Sequence, residues 1–105
     1  MARHRTLAQF ELFVLIAIRA LGDEAWSVAI EQLLEDTGGR STSLGAVYVT
    51  LRRLETKGLV RAMPIKVEGS RRPRNYYRLT ASGARELNAT TDLVQRMISL
   101  GGDST

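Results

Sequence analysis

Residues 44–60 read LGAVYVTLRRLETKGLV, and this stretch decides the fold. Its apolar side chains recur at helical steps along one face: Leu44, Val47, Leu51 and Leu54. Gly58 followed by Leu59 is typical of a helix that ends in a Schellman turn, in which the leucine folds back onto the helix. The stretch therefore predicts a helix over residues 44–57, with Ser43 as its N-cap.

Two more helices are predicted before this one. Thr6 and Gln9 have the spacing of a capping box, so a first helix should begin near Thr6 and end at about Leu21. It is apolar around nearly its whole circumference, and such a helix must be buried on all sides. Because a domain of this size covers only one side, we expect the other side to meet a second chain. Ser27 is expected to cap a second helix that ends at residues 38–39.

Beyond the third helix, the hydrophobic period changes from that of a helix to that of a strand. Residues 59–67 and 75–79 predict the two strands of a hairpin, with Pro64 at an edge or a bulge. A basic turn joins the strands, and Thr80 is expected to cap a last helix over residues 81–100. Three helices followed by a hairpin make a winged helix-turn-helix, a mainly α fold with a small β-hairpin and, here, a C-terminal helix.

Positive charge is concentrated in the middle of the chain. Residues 40–80 contain ten basic and two acidic residues, a net charge of +8, whereas the rest of the sequence carries −4. Such asymmetry within one small domain is typical of a face that binds a polyanion.

The composition excludes several other classes of function. The 105 residues include no cysteine and one histidine, so thiolate zinc sites, cysteine nucleophiles and Ser-His triads lack their parts. No apolar stretch approaches the length of a membrane span, and no signal peptide opens the chain. We therefore expect a cytoplasmic protein without a membrane partner, enzyme activity, cofactor or metal.

Two blocks of the sequence resemble the PadR family of transcriptional regulators. In residues 44–60, a tyrosine stands three positions after a glycine and is followed by Leu-Arg-Arg-Leu-Glu and Gly-Leu. Residues 72–83 form the second block, which reads Arg-Pro-Arg-x-Tyr-Tyr-x-Leu-Thr-x-x-Gly. The resemblance implies a DNA-binding repressor that forms a homodimer through its last helix. Trp26 and Ser27 stand where the family usually has a Tyr-Gly pair, and the single helix after the wing is similar to the family's short subgroup.

The domain organisation follows from these elements. We expect residues 1–80 to form the DNA-binding domain and residues 81–100 to form a dimerisation helix of the same compact domain. Residues 101–105 are expected to be a disordered tail.

The third helix and the hairpin tip supply the predicted contacts to double-stranded DNA. Small residues at the start of the helix allow close entry into a major groove about 12 Å wide. Arg53 can reach a guanine edge or a phosphate, and the resemblance implies that the Tyr48 hydroxyl faces a phosphate. The basic tip is expected at a minor groove, where the potential is negative. The predicted contacts are Thr42, Ser43, Gly45, Ala46, Tyr48, Val49, Thr50, Arg53, Lys57, Arg71, Arg72 and Arg74.

The dimer interface is predicted from the first helix, which is apolar all round, and from a broad apolar stripe on the last helix. The interface residues are Phe10, Phe13, Val14, Leu87, Thr91, Val94, Met97 and Ile98.

The sequence thus predicts a homodimeric, sequence-specific regulator, a repressor that binds an inverted repeat. Two alternatives remain open. One is a winged-helix module that binds an acidic protein partner, since the fold itself does not decide the function. The other is a regulator that responds to an aromatic small molecule, in which Trp26 lines the effector pocket.

Overall fold

A computed structural model describes residues 7–38 and 42–102 of the chain. Its elements follow one another in the order helix α1 (Gln9–Leu21), helix α2 (Ser27–Gly38), helix α3 (Leu44–Thr56), strand β1 (Val60–Ile65), strand β2 (Arg74–Leu79) and helix α4 (Ala81–Gly101). A short 3₁₀ turn, Gly22–Glu24, links α1 to α2. The prediction of a mainly α winged helix-turn-helix with a small hairpin is confirmed.

The predicted bounds of the elements need small corrections. Helix α4 includes Gly101, which the sequence assigned to a disordered tail, and residues 103–105 of that tail lie outside the described residues. Helix α1 begins at Gln9, and Thr6, the predicted partner in its capping box, also lies outside the described residues. The N-cap is Ala8, whose side chain cannot accept a hydrogen bond, and its backbone N–H donates to Glu11 Oε1 at 3.0 Å.

The hydrophobic core is centred on one face of α1. Val14, Leu15, Ala17 and Ile18 of this helix are buried, and they belong to the same cluster as the apolar side of α3. The predicted inward residues Val47, Leu51 and Leu54 are all fully buried, whereas Leu44 at the start of α3 is only half-buried. The remaining core residues come from the other elements: Ala25, Ile30, Leu59, Val60, Tyr77 and Leu87.

Helix α3 ends in the Schellman turn that the sequence predicts. The N–H of Leu59 donates to the Leu54 carbonyl at 2.9 Å, and the N–H of Gly58 donates to the Glu55 carbonyl at 3.0 Å. Gly58 has a φ of 77°, in the left-handed region where other residues are strained. The turn therefore ends the helix and directs the chain into β1.

The start of α4 is attached to this same turn. Thr80 is the N-cap of α4, and its backbone N–H donates to the Leu59 carbonyl at 3.0 Å. The Thr80 hydroxyl donates to the Gly58 carbonyl at 2.6 Å and accepts from the Gly83 N–H at 3.0 Å. The end of the recognition helix and the beginning of α4 are thus joined directly, and the hairpin between them is closed at its base.

The hairpin is antiparallel, and its register runs from Val60 opposite Leu79 to Ile65 opposite Arg74. A third segment lies along the far side of β2, because Trp26 forms a bridge with Tyr76 and the Tyr77 N–H donates to the Ala25 carbonyl at 2.8 Å. This leaves β1 as the edge strand, where the missing N–H of a proline is tolerated. The prediction that Pro64 lies at an edge is confirmed.

Helix α4 contacts the core through its first half and extends beyond it. Leu87 is fully buried, and so is Val14 of α1, because both pack inside the chain's own core. Assigning these two residues to a dimer interface was therefore wrong. The second half of α4 exposes a run of large apolar side chains, namely Leu93, Val94, Met97, Ile98 and Leu100. None of the described helices is long and apolar enough to cross a membrane.

The contact between α4 and the Schellman turn predicts a steric requirement at Gly83. A Cβ atom on Gly83 would overlap the carbonyl of Leu59, whereas a Cβ on Gly45 would meet only the Ser43 hydroxyl at 3.9 Å. We expect Gly83→Ala to lower the free energy of unfolding by about 1–3 kcal/mol through this overlap. Gly45→Ala, the matched control within another helix, should raise it by up to about 1 kcal/mol. Urea unfolding of both variants tests the contact, and equal stability of the two would contradict it.

Candidate nucleic-acid interface

Helix α3 presents a continuous exposed face opposite the core. Its N-cap is Ser43, whose Oγ accepts a hydrogen bond from the Ala46 N–H at 3.0 Å, as the sequence predicts. The face holds small residues near the start of the helix and arginines near its end. Its members are Gly45, Ala46, Tyr48, Val49, Arg52, Arg53 and Thr56. A surface of this kind can approach a flat polyanion closely and add charge at its rim.

Two of the predicted contacts on α3 lie away from this face. Thr50 is 5% exposed, so its placement on the exposed face was wrong. It lies three residues after Val47 and four before Leu54, and the helical period places it with these buried residues. The second is Lys57, which is half-buried and faces α1. Arg52, which is not among the predicted contacts, is exposed on the face and forms no ion pair within the described residues.

Lys57 contacts the first turn of α1 and not the exposed face of α3. Its Nζ lies 2.9 Å from both carboxylate oxygens of Glu11, whose side chain is 3% exposed. Burial alone would raise the pKa of Glu11, but the hydrogen bond from Lys57, the Ala8 N–H and the charges of Lys57 and Arg53 together lower it. Lys57 therefore holds α3 against the start of α1. The sequence predicted Lys57 only as a DNA contact and did not reveal this structural role.

The wing tip carries two fully available cations. Arg71 and Arg72 are exposed and form no ion pair within the described residues. The turn is shaped by Gly69, with a φ of 83°, and by the Ser70 hydroxyl, which donates to the Arg72 carbonyl at 3.0 Å. Both arginines are therefore presented at an exposed turn.

Arg74 differs from the two arginines of the tip. It is half-buried, and its Cζ lies 3.7 Å from the centre of the Trp26 ring. Its Nη1 also donates to the Tyr76 hydroxyl at 3.3 Å. The predicted DNA contact Arg74 and the predicted effector residue Trp26 are thus each other's partners.

The basic segment therefore divides into paired and unpaired cations. Lys57 pairs with Glu11, and Arg78 pairs with Asp23 at 2.8 Å across an exposed surface. Within the part of the chain that the structure describes, the exposed cations of this segment without an ion pair are Arg52, Arg53, Arg61, Lys66, Arg71 and Arg72. They lie on α3 and on the hairpin, the two elements that a winged helix uses to contact DNA.

An apolar groove of about 730 Å³ adjoins the start of the α3 face, because Thr42 and Ala46 are among the residues that line it. Trp26 does not line it, so the groove does not provide the effector pocket expected at that residue. Phe13, which is 40% exposed, belongs to its wall, as does the half-buried Phe10. In the described part of the chain the groove is lined by Gln9, Phe10, Phe13, Ile16, Ala17, Ala20, Leu33, Leu34, Thr37, Gly38, Thr42 and Ala46.

The Glu11–Lys57 pair predicts a stability effect that depends on pH. Lys57→Met leaves a buried carboxylate without its cation, and we expect the free energy of unfolding to fall by about 3–5 kcal/mol near pH 7. In the wild type, a lowered folded-state pKa stabilises the fold above the ordinary glutamate pKa of about 4.3, and this contribution is lost as the pH falls through the folded value. The deficit of the variant should therefore shrink below about pH 4.

Urea unfolding across the acid range measures this difference. Lys66→Met is the matched control, because Lys66 is exposed and has no ion pair within the described residues. Its stability should follow that of the wild type at every pH. A Lys57→Met deficit that stays constant with pH would show that lost packing, and not the carboxylate, causes the effect.

Comparison with known proteins gives one family. The model of the transcriptional regulator PadR-like family matches residues 15–89. No curated protein matches the sequence.

Several solved structures share the fold. A PadR family transcription regulator from hypervirulent Clostridium difficile R20291 is 22% identical with a TM-score of 0.68, and the match covers 87% of this chain and 94% of that one. PadR from Bacillus subtilis in complex with operator DNA is 21% identical with a TM-score of 0.70, over 80% of this chain and 47% of that one. Wild-type apo MarR from E. coli is 25% identical with a TM-score of 0.71, over 94% and 67%.

Proposed function

The chain belongs to the PadR-like family of transcriptional regulators, and from this premise we propose that it is a homodimeric, sequence-specific repressor that binds double-stranded DNA. The family regulates transcription and has no enzymatic role, as the sequence led us to expect. The observation that carries the proposal is the group of unpaired cations on α3 and the wing, because positive charge concentrated on adjoining elements is typical of a face that binds nucleic acid. A similar fold in B. subtilis PadR forms a complex with operator DNA, which supports the same use here.

Helix α3 is the element proposed to enter the major groove. Gly45, Ala46 and Val49 present little side-chain bulk, so the helix can approach base edges closely. Thr42 and Ser43 stand at the N-terminus of α3, where a helix places backbone N–H groups toward a phosphate. Arg53 and Arg52 flank the small residues on the exposed face and would contact guanine or phosphate.

The wing is proposed to lie beside the neighbouring minor groove. Arg71 and Arg72 are exposed at its tip, and arginines favour the negative potential of a narrow minor groove. Since neither is held by a carboxylate within the described residues, a phosphate can take them without breaking an existing ion pair.

A second copy is proposed to cover the exposed part of α4 and the α1 wall of the apolar groove, on the side away from Thr42 and Ala46. Val94, Met97 and Ile98 are 43%, 59% and 61% exposed, and Phe13 adds an aromatic ring to the groove. A standard interface buries about 800 Å² per partner, and these two apolar surfaces are proposed to supply it together.

Thr91 stands at the border of the proposed interface. It is half-buried, and its hydroxyl donates to the Leu87 carbonyl at 3.0 Å.

Because a two-fold dimer presents two α3 helices in inverted orientation, the DNA site should be an inverted repeat. Its half-sites would lie about one helical turn, 10–10.5 bp, apart.

The wing contacts predict a specific change in salt dependence. We expect the double variant Arg71→Ala/Arg72→Ala to bind duplex DNA more weakly and to flatten the plot of log affinity against log salt. The slope should fall by about 0.9 for each phosphate contact that is lost. Fluorescence anisotropy with a selected duplex, repeated over a salt series, measures the slope.

The control removes the same charge from a different element. Arg85 and Arg96 are exposed on α4, outside the proposed interface with DNA, so Arg85→Ala/Arg96→Ala should leave the slope close to that of the wild type. If both double variants flatten the slope equally, only net charge matters and the wing is not a DNA contact. If the wild type binds no duplex at micromolar concentrations in dilute buffer, the proposed function is wrong.

The dimer predicts that one charge on the apolar stripe separates the chains. Ile98→Asp would place a carboxylate in the interface, so we expect monomers by sedimentation, with the helical signal largely retained because Ile98 lies outside the core. Ser99→Asp, one residue along the exposed helix but off the apolar stripe, is the matched control and should remain dimeric. A monomeric wild type, or a dimeric Ile98→Asp variant, would contradict the proposed interface.

A further inference from the structure

Trp26 belongs to two elements at once. Its carbonyl accepts the Ile30 N–H at 2.9 Å, a hydrogen bond of the first turn of α2. Its backbone also forms an antiparallel bridge with Tyr76 of β2. Any displacement of Trp26 therefore moves both the start of α2 and strand β2 of the wing.

The Trp26 side chain extends this link to the end of the wing. The Arg74 guanidinium lies over the indole, with Cζ 3.7 Å from the ring centre, a distance at which a cation is attracted by the face of the ring. The hydrogen bond from Arg74 to the Tyr76 hydroxyl, at 3.3 Å, fixes the guanidinium from a second side. Arg74 has no ion pair within the described residues, so the ring and the hydroxyl are the groups that hold its charge.

Arg74 is also the residue at which the wing tip begins. It opens β2 and lies opposite Ile65, the last residue of β1, so residues 66–73 emerge from this pair. The tip itself carries Arg71 and Arg72, which no other element of the described chain holds by an ion pair. The orientation of the tip relative to the helices therefore depends on how its base is attached.

We infer that Trp26 and Arg74 form a strut that fixes the wing against the start of α2, and that both act as positioning residues for DNA binding, with Arg71 and Arg72 making the contacts. The inference rests on the proposed function. An Arg74 that contacted phosphate would have to leave the ring and the Tyr76 hydroxyl. The strut thus assigns to Arg74 a role different from the direct contact that the sequence predicts.

The decisive comparison is between two substitutions of the same arginine. Arg74→Lys keeps the charge but loses the planar guanidinium, and Arg74→Met keeps a similar length but loses the charge. The strut uses the planar cation over the ring, so Arg74→Met should weaken binding to a selected duplex by about threefold to tenfold. Arg74→Lys should weaken it less, because the ring still attracts the ammonium although the planar stack is lost. Both should keep the wild-type salt slope, because Arg71 and Arg72 still contact phosphate once the wing is ordered, and only the cost of ordering the wing on binding is added.

A phosphate contact would give a different pattern. Arg74→Lys would then bind nearly as well as the wild type, and Arg74→Met would reduce the salt slope by about 0.9. That result would overturn the strut and leave the proposed function intact. Arg78→Lys is the matched control, because Arg78 lies on the same strand but pairs with Asp23 at an exposed surface, and it should bind like the wild type.

A second measurement needs no DNA and no stable Trp26 variant. Trp26 is the single tryptophan of the sequence, so the fluorescence of the free protein reports on its ring. Arg74→Met should change the emission spectrum while Arg78→Lys leaves it unchanged. Identical spectra for the wild type and Arg74→Met would overturn the stack itself. Failure of the wild type to bind any duplex would overturn the proposed function and this positioning role together, whatever the spectra show.

Discussion

The carbonyl groups of Gly58 and Leu59 hold the fold together at the point where the recognition helix, the wing and α4 meet. Gly58 adopts a left-handed conformation that ends α3, and Thr80 returns to the same turn and donates to both carbonyls. Because Gly83 has no side chain, the first turn of α4 packs directly against the Leu59 carbonyl, and the Thr80 hydrogen bonds hold it there. This small junction transmits the position of α4 to α3, so a dimer formed through α4 would set the separation of two recognition helices.

The charges of the basic segment fall into two groups with different physical roles. Lys57 neutralises a buried carboxylate, and Arg74 is held on an aromatic ring, so the charges of both interact with groups of the protein itself. Arg71 and Arg72 at the wing tip and Arg53 on α3 have no such partner within the described residues. A net charge of +8 over residues 40–80 therefore overstates the charge that is available to a ligand. What a polyanion meets is set by the arginines that the fold leaves unpaired.

Local sequence signals predicted most of the fold. They failed where a contact joins residues that are far apart in the sequence. Gly58 and Leu59 identified the Schellman turn because that motif depends only on neighbouring residues. The burial of Glu11 depends on Lys57, which is 46 positions away in the sequence. The periodicity within one helix carries no information about a contact between residues so far apart. Thr50 was misplaced for a different reason, since it lies on the same helical stripe as the buried Val47 and Leu54 and the helical period itself indicates an inward position. The stack of Arg74 on Trp26 was equally hidden, since each residue alone fitted another role.

The Glu11–Lys57 pair also connects the two surfaces on which the proposed function depends. Glu11 lies in the first turn of α1, between Phe10 and the groove residue Phe13, while Lys57 caps the end of the recognition helix. Neither Glu11 nor Lys57 lines the groove, and the Glu11 side chain is already 3% exposed, so the pair attaches α3 to α1 whether or not a second chain covers the groove. A second chain that docks on α1 would therefore meet a helix to which the recognition helix is already fixed.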